Sequence, residues 1–125
     1  MRLLAAAAAA AALVFAPAAG SLAPAPARVQ VSAKEFFYSL SRHKVVAGPA
    51  IVELVNFGED PHDLRLERIG GGRLWKTPLV YPGAYYDLEA KLVPGRYRLW
   101  CSVANHRKLG MTAVLTVVPR KRLSR

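Results

Sequence analysis

Residues 96–111 read RYRLWCSVANHRKLGM, a strand-like segment that continues into a loop rich in metal-binding residue types. The two arginines of the segment occupy one phase of its alternation, and Tyr97 and Leu99 share the other phase with Cys101. Successive side chains of a strand point to opposite faces, so Cys101 is expected to point inward where its strand ends.

A histidine some forty positions upstream has a similar setting. The segment that starts at His62 alternates between an apolar phase, which contains His62 and two leucines, and a polar phase of Asp63, Arg65 and Glu67. We expect the polar phase to face water and His62 to point inward. If the two segments are antiparallel neighbours, His62 and Cys101 lie at the same end of the fold.

The rest of the chain consists of short strand-like segments separated by turn signals, without a helical period. The predicted strands cover Val29–Ser32, Glu35–Tyr38, Val45–Val46, Ala50–Asn56, Tyr85–Ala90 and Met111–Val118. Gly48-Pro49 and Pro94-Gly95 predict turns, whereas residues 69–82 permit no assignment. This pattern predicts an all-β, antiparallel-rich sandwich or barrel with little or no helix.

The N-terminus has the composition of a secretory signal peptide. Met1-Arg2 precedes an uncharged apolar stretch, residues 3–16, which is shorter than the roughly 20 residues of a membrane span. Small residues allow cleavage after Ala18, Ala25 or Ala27, and the sequence leaves that choice open. We therefore expect an exported protein, located in the periplasm or at the extracytoplasmic surface.

Composition divides the 125 residues into three parts and indicates one small globular domain. A signal peptide with an Ala/Pro spacer is predicted for residues 1–27, the folded domain for 28–118 and a basic tail for 119–125. The tail is a solvated terminus, or it contacts an anionic membrane surface or an acidic oxidase surface. Export disfavours nucleic acid as a partner.

The chain is strongly basic, with a formal net charge of +10. Arg2 is the only charged residue before Arg28, so cleavage lowers the net charge to +9. Either the charge serves solubility or it steers a partner of opposite sign, and both interpretations are open.

Cys101 is the only cysteine, which excludes an intrachain disulfide. Three interpretations are open for a lone thiol in an exported protein: it is buried and inert, it pairs with another molecule, or it binds a metal. Its neighbours favour the metal, because Cys101, His106 and Met111 follow one another as Cys-x4-His-x4-Met. With His62 they offer two imidazoles, a thiolate and a thioether, a set that suits both Cu(I) and Cu(II).

The same residues resemble the cupredoxin family of small blue copper proteins, which includes plastocyanins, azurins and auracyanins. The resemblance runs from Val29 to Val118 and includes Asn56-Phe57-Gly58, Pro61-His62-Asp63-Leu64, Pro82-Gly83, Leu92-Val93-Pro94-Gly95, Tyr97 and the loop from Cys101 to Met111. It implies a Greek-key sandwich with one type 1 copper ion held by His62, Cys101, His106 and Met111, which carries single electrons without catalysis.

Two positions depart from the family pattern. Many relatives have Pro-Gly before the second histidine, where this chain has Ala104-Asn105; we expect Asn105 to accommodate the left-handed backbone. Relatives often carry Asn after the first histidine, where this chain has Asp63. Asp63 is expected to accept a hydrogen bond from Ser102 or a backbone N–H, and its charge is expected to lower the reduction potential.

The resemblance also indicates where a redox partner docks. Val103, Ala104 and Leu109 would form an apolar patch around the second imidazole, and Arg107 and Lys108 lie on its rim. Rim charges steer encounter, so the expected partner is a cytochrome, oxidase or reductase with an acidic face, docking on a monomer.

Two other functions compete with electron carriage. One is copper storage or delivery for oxidase assembly, although only two methionines are present. The other is an interaction module that has no redox role or binds zinc.

Overall fold

A computed structural model describes residues 8–16 and 23–121. The predicted signal peptide and basic tail fall partly on residues 1–7, 17–22 and 122–125, which lie outside the described residues. Across the ranges that are described, no helix is long and apolar enough to cross a membrane.

Two sheets pack face to face and enclose the hydrophobic core. Their strands are β1 (Ala27–Lys34), β2 (Phe37–Leu40), β3 (Lys44–Val46), β4 (Gly48–Asn56), β5 (Arg65–Arg68), β6 (Leu74–Lys76), β7 (Tyr85–Leu92), β8 (Gly95–Trp100) and β9 (Thr112–Val118). The strand order is β2-β1-β4-β7 in one sheet and β3-β9-β8-β5-β6 in the other. β1 runs parallel to β4 and β3 parallel to β9, and the remaining pairs are antiparallel.

Period-two alternation supplies the core from both sheets. Each long strand buries every second side chain, most of them Val or Leu, and the intervening residues are exposed or half-buried and mostly polar. The all-β sandwich predicted from the sequence is confirmed, and the described residues contain no helix.

The register of β5 and β8 places two predicted site residues at one end of the sandwich. These strands are antiparallel, and Arg65 lies opposite Trp100. The chain that leads into β5 therefore meets the chain that leaves β8, which brings His62 next to Cys101. Both side chains are buried, as the alternation predicts.

Several local predictions are wrong. Gly48-Pro49 is the start of β4 rather than a turn, and Glu35-Phe36 is a turn between β1 and β2 rather than part of a strand. Residues 69–82, for which the sequence permits no assignment, contain β6 and also Val80, which forms an isolated bridge with His62. Asp63 does not face water but is 4% exposed. The reason is that β5 begins only at Arg65, so the alternation does not extend back to Asp63.

Candidate metal centre

Three donor atoms converge inside the copper end of the fold, by which we mean the end that contains His62 and Cys101. The Nδ1 atoms of His62 and His106 are 3.2 Å apart, and the Cys101 Sγ atom is 4.0 Å from the first and 3.7 Å from the second. Donors placed about 2.1 Å from a common centre in a trigonal plane would be about 3.6 Å apart. The spacing of these three atoms therefore suits a single metal ion.

A buried amide holds the segment that leads to His62. The side chain of Asn56 donates to the carbonyls of Asp60 and Val80 at 2.7 and 2.9 Å, and its oxygen accepts the N–H of Gly58 at 2.8 Å. His62 then exchanges two backbone hydrogen bonds with Val80. These bonds explain the Asn-x-Gly motif, because they fix the direction in which the chain reaches the first imidazole.

The loop from Cys101 to Met111 is closed by its own backbone. His106 donates to the carbonyl of Val103, Met111 donates to the carbonyl of His106, and Cys101 donates to the carbonyl of Met111. Gly110 has φ +123°, and a Cβ there would lie 3.0 Å from a backbone oxygen, which explains the glycine before Met111.

The left-handed backbone conformation before His106 belongs to Ala104, which has φ 42°. The prediction that Asn105 adopts this conformation is therefore wrong. An alanine in this conformation costs roughly 1–2 kcal/mol. Sequence preference alone selects Asn at such a position, whereas the closed loop imposes the conformation on the preceding residue.

Asp63 connects the segment that contains His62 to the segment that contains Cys101, through the hydrogen bonds expected with Ser102. Its Oδ1 atom accepts the backbone N–H of Ser102 at 2.7 Å, and its Oδ2 atom accepts the Ser102 hydroxyl. Its own carbonyl accepts the phenol of buried Tyr38. Arg65 approaches the carboxylate to 3.4 Å and partly balances its charge.

Burial controls the protonation of the sulfur. It raises the pKa of the Cys101 thiol. Asp63 acts in both directions, because a hydrogen bond from its backbone lowers this pKa and its negative charge raises it. Burial likewise raises the pKa of Tyr38, so the phenol stays neutral. A metal that binds here as a thiolate complex must displace the thiol proton.

Met111 is fully buried directly after the loop. Its backbone hydrogen bonds tie it to both Cys101 and His106. A thioether added to two imidazoles and a thiolate would suit copper better than zinc, because soft sulfur suits Cu(I).

Two carboxylates beside the imidazoles were not foreseen from the sequence. Glu35 Oε1 lies 2.9 Å from His62 Nε2, and Asp60 Oδ2 lies 3.7 Å from His106 Nε2. Both sit on the ring nitrogen opposite the one that faces the cluster. No local pattern signals Glu35, which reaches His62 across 27 positions of sequence.

The predicted docking residues differ in exposure from the second imidazole, which is buried. His106 is 6% exposed, Val103 is half-buried, and Ala104 and Leu109 are exposed. The Arg107 guanidinium lies 4.7 Å from the centre of the Trp100 ring.

An open pocket of about 400 Å³ lies beside this loop. Arg107, Lys108 and Trp100 line it together with Cys101. The two cations therefore line the same pocket as the residue that carries the thiol.

No model of a protein family matches the sequence, and no curated protein matches it either. Solved structures do match. Auracyanin A, a "blue" copper protein from Chloroflexus aurantiacus, matches with a TM-score of 0.62 at 16% identity, covering 75% of this chain and 100% of that chain. A purple cupredoxin from Nitrosopumilus maritimus matches with a TM-score of 0.55 at 20% identity, covering 71% and 98%.

A larger protein matches as well. The blue copper oxidase of Nitrosomonas europaea has a TM-score of 0.58 at 19% identity, and the match covers 79% of this chain but 41% of the oxidase chain. The chain thus has the cupredoxin fold. Its buried cluster of His62, Cys101 and His106 fits a single type 1 copper site.

Proposed function

We propose that the protein is an exported electron carrier whose copper ion is held by His62, Cys101, His106 and Met111. The observation that carries the proposal is the convergence of two Nδ1 atoms and one Sγ atom within a buried cluster. When bound, copper supplies a one-electron Cu(II)/Cu(I) couple at this position.

The surrounding residues hold the donors still. His62 is tied to Val80, Cys101 to Met111, and Asp63 clamps Ser102 at the start of the loop. Donors fixed by such a network move little between two oxidation states, which favours fast electron exchange.

Electron carriage is favoured over the competing functions. The three donors are buried, whereas a delivery site needs donors that a partner can reach, and the chain has only two methionines. Burial of the donors also keeps substrates away, so we propose no enzymatic activity. Structural zinc sites use cysteine, histidine and carboxylate ligands, so a zinc ion would not explain the buried thioether.

The docking surface that we propose is the apolar patch of Val103, Ala104 and Leu109 around the His106 edge. Arg107 and Lys108 are exposed on its rim and attract an acidic partner to a monomeric carrier. Asp60 lies 3.7 Å from His106 and the neighbouring Glu59 is exposed, so the partner meets a surface of mixed sign.

Voltammetry of the copper-loaded protein tests the proposal. A carrier shows a reversible one-electron wave that persists through repeated cycles without loss of metal. Copper that dissociates on reduction would instead favour delivery, and the absence of any wave would reject redox function.

A further inference from the structure

The Glu35 carboxylate lies against the far side of the first imidazole. Glu35 occupies the tight turn between β1 and β2, and its Oε1 atom is 2.9 Å from His62 Nε2. The other ring nitrogen of His62 faces Cys101 and His106. The imidazole of His62 therefore lies between the Glu35 carboxylate and the donor cluster.

The carboxylate is held in place by the loop that leads to His62. Glu35 Oε1 accepts the backbone N–H groups of Glu59 and Asp60 at 2.9 and 2.7 Å. A side chain at Gly58 would collide with this carboxylate, so the glycine leaves the space that the Glu35 carboxylate occupies. The side chain of Glu35 is 26% exposed, and the two backbone N–H groups fix the position of its carboxylate.

An anionic acceptor at Nε2 has two consequences for the imidazole. Nε2 must carry the proton that it donates to Glu35, which leaves Nδ1 with a free lone pair directed at the cluster. The negative charge on the far side of the ring also favours the more highly charged Cu(II) over Cu(I).

We propose that Glu35 is a positioning residue of the metal centre: it selects the Nδ1-free tautomer of His62 and favours the oxidised state. The part that concerns oxidation states depends on the proposed copper function; the tautomer part does not. Asp60 has a weaker counterpart role at His106, because its carboxylate is half-exposed and 3.7 Å away.

Glu35→Gln is the decisive variant. Glutamine keeps an oxygen that can accept the N–H groups of Glu59 and Asp60 but removes the charge. Glu59→Gln is the matched control, because it removes an equal charge from the same loop at an exposed side chain. Equilibrium unfolding of both metal-free variants measures any loss of structure.

In the copper-loaded protein, Glu35→Gln should lower the ratio of Cu(II) to Cu(I) affinity about ten-fold, which raises the reduction potential by about 59 mV. Glu59→Gln should change the reduction potential by only a small fraction of that shift. If Glu35→Gln lowers only the unfolding free energy, or shifts the potential no more than Glu59→Gln, Glu35 is a structural clamp and the proposal is wrong.

A second measurement needs no copper. Nitrogen-15 NMR of the metal-free protein should show His62 protonated at Nε2 and unprotonated at Nδ1, with this preference weakened in Glu35→Ala. A proton on His62 Nδ1 in the wild type would overturn the tautomer assignment. If copper binding itself fails, this spectrum still decides what Glu35 does.

Discussion

The carboxylate of Asp63 accepts two hydrogen bonds from Ser102, one from the backbone N–H and one from the hydroxyl. Asp63 directly follows His62, and Ser102 directly follows Cys101. One side chain thus joins the two chain segments that supply the imidazole and the thiol, and it places a negative charge one residue from each.

Replacing Asp63 with Asn should raise the reduction potential of the copper-loaded protein. The amide oxygen can still accept the Ser102 N–H, so the variant loses the charge while keeping the connection. A ten-fold change in relative affinity corresponds to about 59 mV, and Arg65, 3.4 Å from the carboxylate, should keep the shift below that value. Voltammetry measures it.

Ser102→Ala is the control, because it removes the hydroxyl but leaves both the charge and the backbone bond. Its potential should remain close to the wild-type value. An equal shift in both variants would mean that hydrogen bonding, and not charge, sets the effect of Asp63.

Met111 offers a test in which two substitutions act in opposite directions. Met111→Gln introduces a hard oxygen that favours Cu(II), so the potential should fall, whereas Met111→Leu removes the donor and should raise it. The leucine variant nearly conserves volume, and its unfolding free energy should change by less than about 1.5 kcal/mol. Identical potentials in all three proteins would show that Met111 is only a core residue.

Arg107 and Lys108 should steer small anions as well as acidic proteins. The anion hexacyanoferrate(III) should oxidise the reduced protein more slowly, by about ten-fold, when both residues are replaced with Gln. Stopped-flow measurement should also show that the wild-type rate falls as salt is added and that the variant rate depends less on salt.

As a control, Lys91→Gln removes one positive charge from an exposed position of β7. It should leave the oxidation rate nearly unchanged. A wild-type rate that rises with salt, or an equal decrease in the Lys91 variant, would exclude local steering at the copper end.

Glu53 and Asp87 are directly opposed in β4 and β7. Burial, and then the neighbouring Asp87, raise the pKa of Glu53, so the ionised form is less favourable in the folded protein than in the unfolded chain. Glu53→Gln should therefore increase the unfolding free energy near neutral pH, by about 0.2–1 kcal/mol.

This gain in unfolding free energy should shrink as the pH falls toward and below 4.5, the ordinary pKa of a glutamate. The reason is that the wild-type Glu53 carboxyl then binds a proton in the folded state and loses its charge. Denaturant unfolding at several pH values measures this dependence. Glu89→Gln is the control, since Ile51 and not an acid lies opposite Glu89. A gain that is independent of pH would contradict the charge-based explanation.

Local alternation predicted correctly that His62 and Cys101 are buried, but it is the physical reason only for Cys101, which directly follows β8. His62 lies before β5 and is held by its bridge to Val80. Alternation failed at Asp63, where an isolated bridge rather than a regular strand holds the chain and a tertiary contact with Ser102 buries the carboxylate. The all-β fold was likewise predictable, but the pairing of β1 with β4 was not, because it joins segments distant in sequence.

Glu35 shows the limit most clearly. Its partners lie 24 to 27 positions away, and nothing in its own segment distinguishes it from any polar residue at a turn. Gly58 marks a position where space is needed, yet only the folded chain reveals that a carboxylate fills that space.

The central claim is that the Cys101 thiolate binds Cu(II) together with two imidazoles, and a Cu(II) titration of the purified protein monitored by visible absorption tests it most directly. We predict an intense thiolate-to-copper charge-transfer band that saturates at one equivalent and is absent from Cys101→Ser. A wild-type protein without this band, or a Cys101→Ser variant that retains it, would contradict the account.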